Sequence, residues 1–348
     1  MKTDTWKNRH WITTLDYTRE ELETILDIAA ELKQAFLLGK PHDLLHRKTL
    51  FMIFYNASLR TRNSFEAGMT QLGGHAHFLD QAKIYSPALA GQQAARHSEE
   101  IGDTARTLGR MGHGISVRCF GSAVDWHWGM GNRVIREFAH WAGVPVINME
   151  CDWYHPCQAM ADIMTIREKC GGELPGRKLV MSWAYAPDTK KPLSVAHSML
   201  AVASHFGMEI VLAHPEGYDL HPDVLDAVRA NVDFYGGSFS IAHDMDDACR
   251  DADVIYAKSW TARQFWPPIT DELEEEESQA LADANKDWIC NSRRMALAKK
   301  TAIYMHCLPC NRDYEVTREV LDGPQSVVFD EAENRLHAQK AIMSLLMG

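Results

Sequence analysis

Short apolar runs alternate with amphipathic segments along most of this chain, and that alternation is the strongest constraint on its fold. Residues 50–55, 76–79, 114–120 and 144–149 read as strands, and 18–38, 64–72, 99–111 and 132–141 as helices. Thr18-Arg19-Glu20-Glu21 has the form of a capping box at the start of the first helix. The pattern restarts after Glu150. Helices are expected at 156–169, 193–206, 222–232, 245–250 and 333–347, and strands at 178–185, 208–213, 254–257, 304–305 and 327–329. Strands separated by helices form parallel sheets through crossover connections. The expectation is an α/β protein with two doubly wound parallel-sheet domains joined by interdomain helices. The first spans 1–155, completed by the C-terminal helix 333–348, and the second spans 156–332. A chain of 348 residues is long enough for both. Residues 81–97, polar and interrupted by Ser86-Pro87 and Gly91, read as a loop. The acidic run Glu274-Glu275-Glu276-Glu277 reads as a solvated helix face.

The formal net charge is -11, from 36 Lys and Arg against 47 Asp and Glu. That balance argues against non-specific nucleic-acid binding, which needs a basic surface. Any cationic site must be local. No apolar core follows Met1, and no stretch approaches the roughly 18 apolar residues of a membrane span. A cytoplasmic protein without nucleic-acid or membrane partners is expected. Eight cysteines are too few for a disulfide framework, so reduced thiols are the default.

Ser58-Leu59-Arg60-Thr61-Arg62 sits between an apolar strand and an amphipathic helix. It brings two guanidinium groups and two hydroxyls to a helix N-terminus, where unpartnered N–H groups and the helix dipole favour an anion. Arg adds a planar fork that matches phosphate oxygens. His155-Pro156-Cys157-Gln158 falls at the join between the halves. A His held extended before Pro, with a Gln on the following helical turn, suits a carbonyl oxygen that gains charge; a helix-capping His beside a surface Gln is the other reading. Arg118 ends a strand and Arg335 lies in the last helix. Trp128-Gly129-Met130-Gly131 lacks the third glycine of a dinucleotide fingerprint and reads as a turn, and no phosphate-binding G-x-x-x-x-G-K-[ST] occurs. Cys307-Leu308-Pro309-Cys310 has C-x-x-C spacing. It lacks a second ligand pair for zinc and follows a strand where a redox pair would open a helix.

Taken together, these motifs resemble those of the aspartate and ornithine carbamoyltransferases. Ser58-Leu59-Arg60-Thr61-Arg62 resembles the carbamoyl-phosphate signature, His155-Pro156-Cys157-Gln158 the H-P-x-Q motif, and His306-Cys307-Leu308-Pro309 the H-C-L-P motif. The three stand in family order, and the likeness is greatest to the knotted N-acetylornithine and N-succinylornithine enzymes. The resemblance implies a homotrimer, no cofactor and no metal, and a trefoil knot around the loop from Tyr185-Ala186-Pro187 to Lys191-Pro192-Leu193. It implies transfer of the carbamoyl group of carbamoyl phosphate to an amino-acid amine, with N-acetyl-L-ornithine as first choice. N-succinylornithine, ornithine or diaminopropionate are alternatives, as is a non-catalytic binding homologue. By resemblance, Ser58, Arg60, Thr61 and Arg335 hold the phosphate; Thr61, Arg118 and His155 polarise the carbonyl; Gln158 and the Leu308 carbonyl orient the carbamoyl amide. Cys307 contacts the attacking amine and Lys258 the acceptor carboxylate. Leu59, Arg62, Glu150 and Glu315 complete the expected substrate contacts. Glu315 takes the position of a carboxylated lysine of the acetylornithine enzymes, and Leu59 that of a Thr or Met.

Overall fold

A computed structural model of the protein describes residues 6–89, 91, 98–266 and 272–348. The chain divides into two compact units, Met1–Met160 with Arg335–Gly348, and Ala161–Asn334. Two helices, Pro156–Lys169 and Val328–Met347, contribute residues to both.

The first unit is built on strands β1 (Thr49–Phe54), β2 (His75–Asp80), β5 (Gly114–Cys119) and β6 (Val146–Cys151), all parallel, in the order β2-β1-β5-β6. Every residue of β5 and β6 is buried, as expected of a sheet covered on both faces. The capping box is present: Thr18 Oγ1 accepts from Glu21 N–H, and the Glu21 carboxylate accepts from Thr18 N–H, opening the helix Arg19–Leu37. From β1 the chain moves first to one side, to β2, and later to the other, to β5. The gap between the C-terminal ends of β1 and β5 is therefore a topological switch point, where open α/β sheets bind ligands.

The second unit repeats the plan with β7 (Lys178–Trp183), β8 (Glu209–Ala213), β9 (Ser238–Ala242), β10 (Val254–Lys258) and β11 (Ile303–Met305), parallel and ordered β11-β10-β7-β8-β9. Its switch point lies between β7 and β10, and Lys258 ends β10 there.

Three expectations need correction. Residues 81–97 are not loop throughout: β3 (Ser86–Ala88) pairs in parallel with β4 (Ser98–Glu100), and residues 90 and 92–97 lie outside the described ones. That pairing delays the next helix to Ile101. Residues 327–329 are no strand. They open the helix Val328–Met347, whose first turn carries Asp330 and Glu331 against the dipole. Strand β9 and the helix Ser292–Leu297 escaped the sequence reading; β9 is a half-exposed edge strand of mixed Ser and apolar residues, with no buried run to reveal it. The acidic run is a solvated face, with Glu275, Glu276 and Glu277 exposed on the helix Glu272–Asp283. The turn expected at Trp128 to Gly131 holds only as far as Gly129, which adopts φ 82° as the N-cap of the helix Met130–Trp141; Gly131 is helical, and a Cβ there would lie 2.1 Å from the Cys119 carbonyl oxygen. Among the described residues no helix is long and apolar enough to cross a membrane.

The last helix seats on the helix Leu59–Gln71 where Gly68 lets Met343 and Lys340 approach. Lys340 is fully buried, donating to the Leu32 carbonyl (3.4 Å) and Gln71 Oε1 (2.9 Å) beside His42 Nε2 (3.2 Å). Burial pushes its ammonium down to about 8. Below pH 8 the ammonium is charged in both states; between about 8 and its ordinary value the unfolded chain binds more proton, so stability rises with pH. Denaturant titrations should show this rise in wild type across pH 8–10 and a flatter profile in Lys340→Met. Parallel profiles would contradict it.

Candidate active site

Sequence order places the turn Ser58 to Arg62, expected to take an anion, directly after β1, and the fold puts it at the switch point. Ser58 is the N-cap of the helix Leu59–Gln71, its Oγ accepting from Thr61 N–H (3.3 Å). Thr61 is buried and receives Arg335 Nη2 on its hydroxyl (2.9 Å). Arg335 Nη1 donates to Gln158 Oε1 (2.6 Å), so a single buried guanidinium joins the phosphate-type turn to the second motif. Leu59 is 72% exposed, outside this buried cluster. Arg62 also turns aside: it donates to Glu66 (3.3 Å) and stacks on Phe78, 3.6 Å from the ring centre.

Across the gap, Asn56 ties the two strand ends together, donating to the Phe120 carbonyl (2.8 Å) and accepting from Phe120 N–H (2.9 Å). A register shift at Val117/Arg118 inserts one extra residue in β6, bringing Glu150 opposite Arg118. The two form a buried ion pair. Glu150 Oε2 also lies 3.4 Å from His155 Nε2. Glu150, expected on the substrate, thus holds two of the side chains expected to polarise a carbonyl. Burial holds the His155 imidazole well below its ordinary pKa; Glu150 opposes this, while Arg335, Arg118 and Arg60 reinforce it. His155 is therefore neutral near pH 7, a single N–H donor among three guanidiniums. The expected site residues of this unit are brought together, save Leu59 and Arg62.

In the second unit the group after β11 forms a tight turn. Leu308 adopts φ 53°, a left-handed conformation that costs a branched side chain on the order of 1 kcal/mol. Its N–H donates to His306 Nδ1 (2.9 Å). Glu315 is fully buried, accepting from Ser259 N–H (2.9 Å) and Asn311 N–H (2.8 Å), with Lys258 Nζ at 3.4 Å. Burial raises the Glu315 carboxyl, but Lys258, His306 and the Asn311 N–H outweigh it and hold it well below the ordinary range. Burial also lowers Lys258, and Glu315 and Cys307 outweigh that in turn, raising it. Lys258 is a partly buried, paired cation, held by Glu315 and by the Ser259 carbonyl (3.1 Å).

His306, Cys310 and Glu315 converge closely enough to hold a metal ion. The tautomer argues against it. Nδ1 accepts from Leu308, so Nε2, which faces Glu315 at 3.3 Å, carries the proton and offers no lone pair. The group is a hydrogen-bonded ion-pair network. Asn56 and Ser259 were not singled out from sequence, and His306 only as part of its motif; each acts through backbone contacts that the residue pattern does not encode.

Two family models match the chain: the aspartate/ornithine carbamoyltransferase carbamoyl-P binding domain over residues 9–168, and the Asp/Orn binding domain over residues 181–346. The chain belongs to the aspartate/ornithine carbamoyltransferase family. Among relatives of this carbamoyltransferase, the ornithine carbamoyltransferase of Thermococcus kodakarensis is 43% identical over 333 residues, covering 96% of this chain and 94% of that one. The N-acetylornithine carbamoyltransferase of Xanthomonas campestris pv. campestris is 39% identical over 350 residues, covering 98% of each. A crystal structure of acetylornithine transcarbamylase complexed with acetylcitrulline superposes with a TM-score of 0.90 at 38% identity, covering 97% of this carbamoyltransferase and 99% of that chain.

Proposed function

We propose that this carbamoyltransferase moves the carbamoyl group of carbamoyl phosphate to the side-chain amine of N-acetyl-L-ornithine, releasing phosphate. The observation that carries the first half is the buried Arg335 clamp on Thr61 and Gln158 at the mouth of β1 and β5. Ser58, Arg60, Thr61 and Arg335 take the phosphate and offset the charge of the leaving group. Arg118, paired with Glu150, and the single N–H of neutral His155 donate to the carbonyl oxygen as it becomes an oxyanion. The neutral amine adds to the carbonyl carbon, the C–O bond to phosphate breaks, and the amine loses a proton. Fixing both substrates contributes much of the rate.

For the acceptor we assign Lys258 to the α-carboxylate, Glu315 to orienting Lys258, and Cys307 to the attacking amine. Glu315 is already occupied by Lys258 and two backbone N–H groups, so it offers no spare charge to a free α-ammonium. This favours an acylated α-nitrogen, in line with the acetylcitrulline complex of the structural neighbour. L-Ornithine is the second reading, favoured by the 43% identity to an ornithine enzyme. A homotrimer, a cytoplasmic location and a trefoil knot belong to the same proposal. For the knot, support comes from Thr261, which bonds Thr189 and Lys191 along the candidate loop.

The test is ureido-product formation with carbamoyl phosphate and N-acetyl-L-ornithine, N-succinyl-L-ornithine, L-ornithine or diaminopropionate. N-Acetyl-L-ornithine should give a kcat/KM at least tenfold above the rest. A tenfold advantage for another amine overturns the acceptor; binding of carbamoyl phosphate without turnover on any amine supports a non-catalytic homologue.

A further inference from the structure

The second unit contains two acidic side chains with no place in the reaction just described. Asp162, on the helix Pro156–Lys169, and Glu331, on the helix Val328–Met347, are both completely buried. They hydrogen-bond to each other. Two carboxylates cannot make such a contact while both are ionised; one proton must lie between them. Glu331 spends its remaining capacity on the substrate turn. Its Oε2 accepts from His306 N–H (2.9 Å), and its Oε1 accepts from the Tyr256 hydroxyl (3.3 Å). Tyr256, at β10, is itself fully buried and makes a side-chain hydrogen bond with Cys307.

We propose that Asp162 and Glu331 form a proton-sharing carboxyl pair that positions the His306-Cys307-Leu308 turn for carbamoyl transfer. Both are positioning residues, since neither reaches the substrate groups directly. The physical need is visible in the turn. Leu308 occupies a left-handed conformation that a free chain would leave, and the first N–H of the turn is fixed by the pair. The shared proton matters as much as the geometry. With it, the pair carries one negative charge beneath the turn instead of two. The groups facing the pair are the Tyr256 hydroxyl from β10 and the His306 N–H after β11, with the Cys307 thiol reached through Tyr256; the burial of both acids and their mutual repulsion favour the protonated form. Thus the turn is anchored by a group that is acceptor on one side and acid on the other. Gln reproduces that pairing and Ala does not: an amide oxygen can accept from His306 N–H while its NH2 donates to an ionised Asp162.

This inference rests on the proposed role of the turn in transfer, so the experiment uses readouts with and without turnover. In Glu331→Gln, kcat should stay within about threefold of wild type. In Glu331→Ala it should fall at least tenfold, while affinity for inorganic phosphate, which lacks the carbamoyl amide that Leu308 would orient, stays unchanged. Backbone amide exchange at 306–308 should quicken in the Ala variant only. Independently of activity, infrared difference spectra of wild type against Glu331→Gln at pH 7 should show the loss of a protonated-carboxyl C=O band. A Gln variant as impaired as Ala, no such band, or unchanged exchange at 306–308 in Glu331→Ala would each overturn the proposal. Absence of turnover in wild type with the band and exchange as expected would count against the assigned reaction and leave the pair standing.

Discussion

Arg60→Ala is expected to lose carbamoyl-phosphate binding while folding as the wild type does. Arg60 sits in the first turn of the helix Leu59–Gln71, half-exposed, and its charge is felt at buried His155. Removing one partner of a charge-assisted contact to a dianion costs about 2–5 kcal/mol, and the helix N-terminus alone supplies about 0.3–1. We expect kcat/KM for carbamoyl phosphate to fall by roughly 100- to 1,000-fold and the unfolding midpoint to move little. The neighbouring positions make the test specific. Leu59→Ala should leave affinity unchanged, because that side chain lies outside the buried cluster. Arg62→Ala should cost less than tenfold, because its guanidinium is spent on Glu66 and Phe78. Calorimetric titration with carbamoyl phosphate measures all three. If Arg62→Ala were the more damaging variant, the phosphate contacts assigned to Arg60 would be wrong.

Glu315→Ala should produce the largest loss of stability. The carboxylate is buried against Lys258 and two backbone N–H groups, and its removal takes the counter-charge from a mostly buried cation, which keeps only the Ser259 carbonyl (3.1 Å), and leaves two N–H donors unsatisfied. Breaking a buried pair from one side costs about 3–5 kcal/mol. Glu315→Gln, which keeps the acceptor oxygen, should cost less. Acceptor KM should rise in both, through the release of Lys258. The pH dependence has a definite sign. The folded Glu315 carboxyl is held below its ordinary range, so its contribution is present above the unfolded value and is lost as pH falls through the folded one. Lys258 is raised, so its contribution persists until pH rises through its elevated folded value. The pair therefore stabilises the whole neutral range, and Glu315→Gln should lose the acid-side slope in a urea titration series from pH 3 to 7. An identical slope in wild type and variant would mean that Glu315 is not the titrating group.

These results divide between what the residue pattern announces and what packing alone settles. The alternation of apolar runs and amphipathic segments was enough for two parallel α/β units, because a strand buried on both faces has a distinctive composition. The helix start at Ser58 to Arg62 was equally readable, since a Ser between an apolar strand and an amphipathic run is a typical N-cap. Edge strand β9 and the β3–β4 pair were not readable, since short half-exposed strands owe their conformation to neighbours distant in sequence. The roles within the site also needed the third dimension. Arg335 and Thr61 lie 274 positions apart, and no local pattern says that they touch. Glu150 looks like a substrate ligand in sequence; the register shift in β6 turns it onto Arg118. Asp162 and Glu331 look like ordinary helix-surface acids until two helices bury them together. Sequence by itself determined the fold class, the turn at a helix N-terminus from Ser58 to Arg62 and the presence of the three motifs, because these rest on local periodicity and side-chain chemistry. Tertiary structure alone decided which charges neutralise which, because pairing depends on distances that only the folded chain sets.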